Sequence, residues 1–219
     1  MYSPVFLLGT LIKTIRFNFN YFPLRTAVKM PVIVSHNVYL KEMSGQVEIQ
    51  GDIKRGKIRI GFGDIGIFDK QRSRGVWFVQ GHVIFAGRAD IGHSIKINVH
   101  ENGELHFGDK FIANAETSII CRKQIVFGAN NLISWQCMIT DTDFHTILQH
   151  GEQINPDQPI IVGDRVWIGM RSTVLKGAKI ANDIVVGANS LVHDLNELYR
   201  IYAGLLAKKV KNDISWTCS

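Results

Sequence analysis

The stretch Ile161-Val162-Gly163-Asp164-Arg165-Val166-Trp167-Ile168-Gly169 sets the pattern for the chain around it. Steps of six from Val162 land on Val162, Ile168, Val174, Ile180, Val186 and Val192, every one Val or Ile. These two types make up 46 of the 219 residues, so six in a row arise by chance about once in ten thousand. The following position, Gly163, Gly169, Leu175, Ala181, Gly187 and His193, is mostly small. Four after each aliphatic stand Val166, Ser172, Ala178, Ile184 and Ser190, small or aliphatic again. A period of six fits neither the helical repeat nor simple strand alternation. It fits short strands joined by tight corners, each strand turning one large side chain inward. Small residues belong where corners crowd, and Gly also accepts turn conformations. Stacked, such turns form a core that no single one could bury, which is a parallel β-helix.

The step continues upstream in blocks: Phe127, Ile133, Ile139; Phe107, Ala113, Ile119; Phe85, Ile91, Ile97. Two extra residues fall near 125–127 and four within 98–106, as loops at solenoid corners would. The run 45–69, with Gly51, Gly56, Gly61, Gly63 and Gly66 among Val and Ile, reads as irregular early turns. The expected organisation is a helical or extended segment over 1–40, a β-helix over 41–195 with an excursion over 145–159, and a tail over 196–219.

A formal net charge of +6 favours an anionic partner. No nucleic-acid motif or dense Lys/Arg run is present, so a phosphorylated cofactor ranks ahead of an anionic membrane and nucleic acid is excluded. Cys121, Cys137 and Cys218 are odd in number and form no CxxC pair, which points to a reducing cytoplasm. Near the N-terminus, residues 5, 8, 12, 15 and 19 are apolar at helical spacing, with Ser3 as N-cap and Pro4 at the first helical position. The segment is too short and too interrupted by Lys13 and Arg16 to span a bilayer, and it lacks signal-peptide features. It reads as a helix that caps or packs onto the body. The sharper alternative is peripheral membrane attachment, with Lys13 and Arg16 facing anionic lipid.

The 161–169 stretch, Gly177-Ala178-Lys179-Ile180 and Val186-Gly187-Ala188-Asn189-Ser190 resemble the hexapeptide-repeat acyltransferases. Within that superfamily the sequence is most similar to O-acetyltransferases of bacterial surface-polysaccharide synthesis. The resemblance covers about residues 80–215. It implies an all-β fold, a left-handed parallel β-helix shaped as a triangular prism. It also implies a homotrimer with sites between subunits, acetyl-CoA as donor, a sugar or lipid-linked saccharide as acceptor, and a cytoplasmic location at the inner face of the membrane. No metal is implied. A second match runs from Ile133-Ser134-Trp135-Gln136 to Thr140-Asp141-Thr142-Asp143-Phe144-His145, where the family's histidine opens a loop and serves as general base. The tail 202–211 has Leu205-Leu206 where family members have Asn-Pro.

Acetyl transfer requires a hydroxyl made nucleophilic beside a thioester, and a neutral imidazole suits that task. His145 is the candidate base, with Asp143 or Asp141 to hold its other ring nitrogen. Alternating Asp-x-Asp in a loop is equally turn chemistry. The resemblance places Gly169, Met170, Ala188 and His193 along the pantetheine arm, and Lys208 and Lys211 at the CoA phosphates. Trp135 is a candidate platform for a sugar ring and Gln136 a hydrogen-bonding group for acceptor or oxyanion. Cys137 falls in an inward slot and reads as packing. Two rivals share the fold. One is a γ-carbonic-anhydrase-like zinc enzyme, with His145, His150, His100 and His106 as its source of ligands. The other is a scaffold without catalysis. An N-acetyltransferase acting on an amino sugar or small drug would look alike in sequence.

Overall fold

Along most of the chain, each short strand pairs not with its sequence neighbour but with the strand one full turn further on. In the computed structural model, Val32–Val34 runs parallel to Ile58–Phe62, Val38–Glu42 to Gly75–Val79, and Gln46–Ile49 to His82–Phe85. Repetition builds three faces of nine, seven and six strands, here called I, II and III. All pairings in them are parallel except the last of face I. The result is a left-handed parallel β-helix of triangular section. Its first strand is Val32–Val34, ahead of residue 41. The structure describes residues 4–63, 65–69 and 72–217, so Ser3 and Cys218 lie outside the described residues.

The six-step aliphatics are the core. Val162, Ile168, Val174, Ile180, Val186 and Val192 are all buried, as are Val166, Ser172, Ala178, Ile184 and Ser190. On face III, Phe85, Phe107 and Phe127 stack with centroids 5.1 and 5.9 Å apart. Val162 and Ile180 continue their column. The extra residues upstream have a simple cause. In Glu104–Phe107 and Gln124–Phe127 two side chains point inward instead of one, giving a wider turn.

The corners bear out crowding as the reason for the small residues, while turn conformation is not the reason at these glycines. Gly108, Gly128, Gly163 and Gly169 do not have positive φ. They are glycine because a Cβ at Gly128 would lie 2.7 Å from the Gly163 carbonyl carbon, and one at Gly169 2.6 Å from the Val186 oxygen. The left-handed positions are filled by other types: Lys110, Asn130, Arg165 and Asp183 at the III–I corner, Glu116, Gln136, Arg171 and Asn189 at the I–II corner. Such residues seldom adopt this region. At all of these but Lys110 the strain is offset by a bond to the turn before, as in Arg165 N–H to Ala129 O (2.8 Å) and Asn189 N–H to Met170 O (2.9 Å).

The first strand has no preceding turn to pair with, and α1 (Pro4–Tyr21) closes that edge. Val34 N–H donates to Thr14 Oγ1 at 3.0 Å, and Asn18 Nδ2 donates to Val32 O at 2.7 Å while its Oδ1 accepts Val32 N–H. Phe17 fills the space beneath, edge-on to Trp77. The helix therefore caps the body as expected, but with the opposite side. Leu8, Ile12, Ile15 and Phe19, the apolar set at helical spacing, are exposed. The cause is that the coil end presents unpaired backbone groups, which only polar side chains satisfy. Lys13 also departs from its expected outward position: its ammonium donates to His36 O and Val38 O. Burial, then neighbouring Arg74 and Arg16, lower its pKa.

Asn18→Ala removes the partner of two buried backbone groups and is expected to destabilise the fold by about 1–3 kcal/mol. Denaturant titration checks this. An unchanged midpoint would mean that the helix does not cap the first turn.

Candidate active site

Where the chain passes from Met138–Thr140 on face II to Ile160–Val162 on face III it leaves the prism. One turn earlier the same corner needs only residues 122–123. The excursion contains a small hairpin, Leu148–Gln149 against Glu152–Gln153. His145 stands near its start, exposed.

Two groups fix this segment. Asp141 is fully buried and accepts the backbone N–H of Arg122, Lys123 and Gln124, each at 2.8 Å. It thus caps the sharp corner of the preceding turn. Asn155 works within the loop. Its Oδ1 accepts Ile147 N–H at 2.6 Å, and its Nδ2 donates to His145 O at 2.8 Å and Asp143 Oδ2 at 2.9 Å. Lys176, from the next turn, donates to the same Asp143 oxygen and to Asn155 O. The Lys176 ammonium, and then Asn155, hold the Asp143 carboxyl below the usual carboxylate range. Neither aspartate meets the imidazole of His145, which has no hydrogen-bond partner among the described residues. The backbone is tied down while the ring is left free. Asn155 and Lys176 were not singled out from sequence; their only signals are an Asn before Pro156 inside the excursion and a Lys before Gly177 at the matching corner.

The remaining candidates occupy other edges. Trp135, Gln136, Gly169, Met170 and Ala188 all fall at the I–II corner, in successive turns. Ala188 is exposed, Met170 half-buried and Gly169 buried against the next turn. The Gln136 amide is engaged on both sides, donating to Glu116 Oε2 at 3.1 Å and accepting from Arg171 Nε at 2.9 Å. His193 lies instead at the II–III corner, one residue beyond the Val174–Val192 pair, and is exposed. Lys208 and Lys211 lie on the final strand, Lys208–Lys211, which folds back antiparallel on Arg200–Ala203; both are exposed. Cys137 is buried, and burial pushes its thiol up to about 11. A groove of about 350 Å³ on face I, lined by Arg88, Lys110, Asn130 and Trp216, does not include His145. Among the described residues no three His, Cys, Asp or Glu side chains gather as a metal site. His106 is bound to Glu104 at 2.7 Å. No helix among them is long and apolar enough to cross a membrane.

Within one chain, then, the free imidazole and the I–II corner stand on different edges of the prism. This is a repeat fold with a basic tail, and its exposed His145 stands apart from the I–II corner. No family model matches the chain. It is 30% identical over 142 residues, 60% of this chain and 72% of the relative, to an Escherichia coli (strain K12) protein named as a lipopolysaccharide biosynthesis O-acetyl transferase. Among solved structures, it resembles the polySia-specific acetyltransferase NeuO with a TM-score of 0.66 and 18% identity, over 86% of this chain and 82% of that one. A hexapeptide-repeat acetyltransferase of Vibrio cholerae O1 biovar eltor, complexed with acetyl-CoA, aligns with a TM-score of 0.50 and 20% identity over 59% and 70% of the two chains. The chain belongs to the hexapeptide-repeat acyltransferases. It is an enzyme of acyl transfer.

Asp141→Asn sets an amide N–H₂ or a lone oxygen against three N–H donors. It is expected to cost about 1–3 kcal/mol of stability, read as a lowered denaturation midpoint. Unchanged stability would show that the carboxylate does not hold the corner.

Proposed function

We propose that the protein transfers an acetyl group from acetyl-CoA to a hydroxyl of a sugar or polysaccharide precursor, as a homotrimer working at the cytoplasmic face of the membrane. The observation that carries this reading is the free imidazole of His145 on a loop whose backbone is fixed by Asn155 and Lys176. The similar proteins support it, being named for O-acetyl transfer in lipopolysaccharide biosynthesis and for acetylation of polysialic acid. The donor follows from the acetyl-CoA complex of the Vibrio protein.

In this mechanism a ring nitrogen of His145 takes the proton of the acceptor hydroxyl as its oxygen attacks the thioester carbonyl. The tetrahedral intermediate collapses, the carbon–sulfur bond breaks, and the imidazolium returns its proton to the departing thiolate. Asp143 acts at one remove: held by Lys176 and Asn155, it positions the backbone from which the imidazole projects. Asp141 supports the corner beneath. The donor's pantetheine arm lies along the I–II corner past Gly169, Met170 and Ala188, and Lys208 and Lys211 offer cations to the CoA phosphates. Trp135 and Gln136 line the same corner toward the acceptor, and His193 stands on the edge that carries His145. A second copy enters this reading because its base and its donor corner occupy different edges of one prism. Rotation about a threefold axis lets the loop of one subunit meet the I–II corner of the next.

Calorimetric titration of acetyl-CoA into chelator-treated protein is expected to show about one site per subunit, and absence of binding overturns the reading. His145→Ala should then lower kcat by about 10²–10⁴-fold with the acetyl-CoA Kd unchanged. Sites shared between subunits make a further prediction. Unfolding and refolding His145→Ala together with Ala188→Trp, each inactive alone, should restore roughly a quarter of wild-type activity by random assortment. No recovery in trimers shown to be mixed would place each site within one chain.

A further inference from the structure

α1 serves the fold with one side only. Its polar stripe, Thr14 and Asn18 with Phe17 between, closes the first turn. The side turned away from that edge carries Leu8, Leu11, Ile12, Ile15 and Phe19, exposed between 41% and 59%. At 3.6 residues per turn these five fill one arc of about 100°, with Leu7 outside it on the far side of Asn18. Leu24 and Val28, just beyond the helix, are exposed as well. No intramolecular role accounts for so continuous an apolar surface, and one of this size marks an interaction site.

The charge around it identifies the partner. The first 41 residues contain Lys13, Arg16, Arg25, Lys29 and Lys41 and not one Asp or Glu; the first acid of the chain is Glu42. Nearly all of the net charge of +6 is therefore concentrated here. Arg16, Arg25 and Lys29 are exposed. A protein partner could match the apolar arc alone. An apolar arc within an acid-free basic segment matches an anionic bilayer, whose interface takes apolar side chains and whose headgroups attract cations. A second copy of the same surface would bring like charges together. The helix has 18 residues and cannot cross, so it lies in the plane of the surface.

We propose that the outer face of α1, flanked by Arg16, Arg25 and Lys29, docks the protein on the headgroup region of an anionic membrane. This deepens the location given under the proposed function, and it draws on the trimer proposed there for strength. Subunits related by one threefold axis point their three α1 helices the same way, so attachments that are individually weak act together. Docking by the end of the prism leaves its sides, where acyl transfer is placed, open to an acceptor presented from the same membrane.

The test is flotation of the full-length protein with vesicles of phosphatidylethanolamine and phosphatidylglycerol, and with vesicles of phosphatidylcholine alone. The wild type is expected to float with the anionic vesicles and much less with the neutral ones, and to lose binding in high salt. The double variant Leu11→Glu/Ile15→Glu changes only exposed positions and should bind at least about ten-fold more weakly. Arg16→Glu/Lys29→Glu should lose the preference for anionic vesicles, each basic residue contributing roughly five-fold. Failure of the wild type to float with either vesicle overturns the proposal, as does full binding by the apolar double variant. Light scattering covers the other occupant: if Leu11→Glu/Ile15→Glu instead dissociates an assembly larger than one trimer, the face joins copies of the chain and the proposal falls. Partitioning is read without acetyl-CoA. A protein that floats but transfers no acetyl group would sink the acyltransfer reading alone, and one that acetylates a soluble acceptor but never floats would sink only the docking.

Discussion

Everything in this molecule depends on backbone pairing between successive turns. A single turn of the prism has no partner for its strand N–H and C=O groups and no enclosed interior. Both needs are met only by the turn stacked on it. The demand for close stacking reaches down to single atoms. At Gly128 and Gly169 the neighbouring turn occupies the volume of a Cβ, and at the corners the chain accepts left-handed Arg165 and Asn189 because their N–H groups find a carbonyl one turn away. Strain that would be costly in isolation becomes a repeated element of register.

An open stack must also be stopped at each end. At the C-terminal end the chain reverses, so that Lys208–Lys211 covers the last strand of face I antiparallel. At the N-terminal end there is no strand to add, and Thr14 and Asn18 imitate one with side chains. That solution requires the polar stripe of α1 to face inward. The apolar stripe is then left outside as a geometric consequence.

The same rigidity shapes the chemistry. A prism holds its three edges apart, so residues separated by six in sequence stand on different edges, while residues one turn apart share an edge. His145 leaves the II–III edge, and Gly169, Met170 and Ala188 line the I–II edge. The excursion has no strand partners to fix it apart from its own hairpin. Its geometry therefore rests on side chains, with Asp141 closing the corner below, and Asn155 and Lys176 gathering the backbone around Asp143 and His145.

By itself the sequence determined the repeat, the inward column from Val162 to Val192, the excursion after Ile139 and the histidine that opens it, because a period of six and its interruption are properties of the order of residues. The acid-free basic N-terminal segment is legible in the same way. Only the tertiary structure decided which side of α1 faces the coil, since the apolar spacing at 8, 12, 15 and 19 gives no hint that the surface awaiting it is a row of unpaired backbone groups. It also decided what the aspartates do. Asp141 and Asp143 look alike in the string Thr140-Asp141-Thr142-Asp143, yet one is buried beneath three amides and the other is held by a lysine from the following turn. Such partners lie 17 to 33 residues away in sequence. They are brought together by the closing of whole turns, which local pattern does not encode.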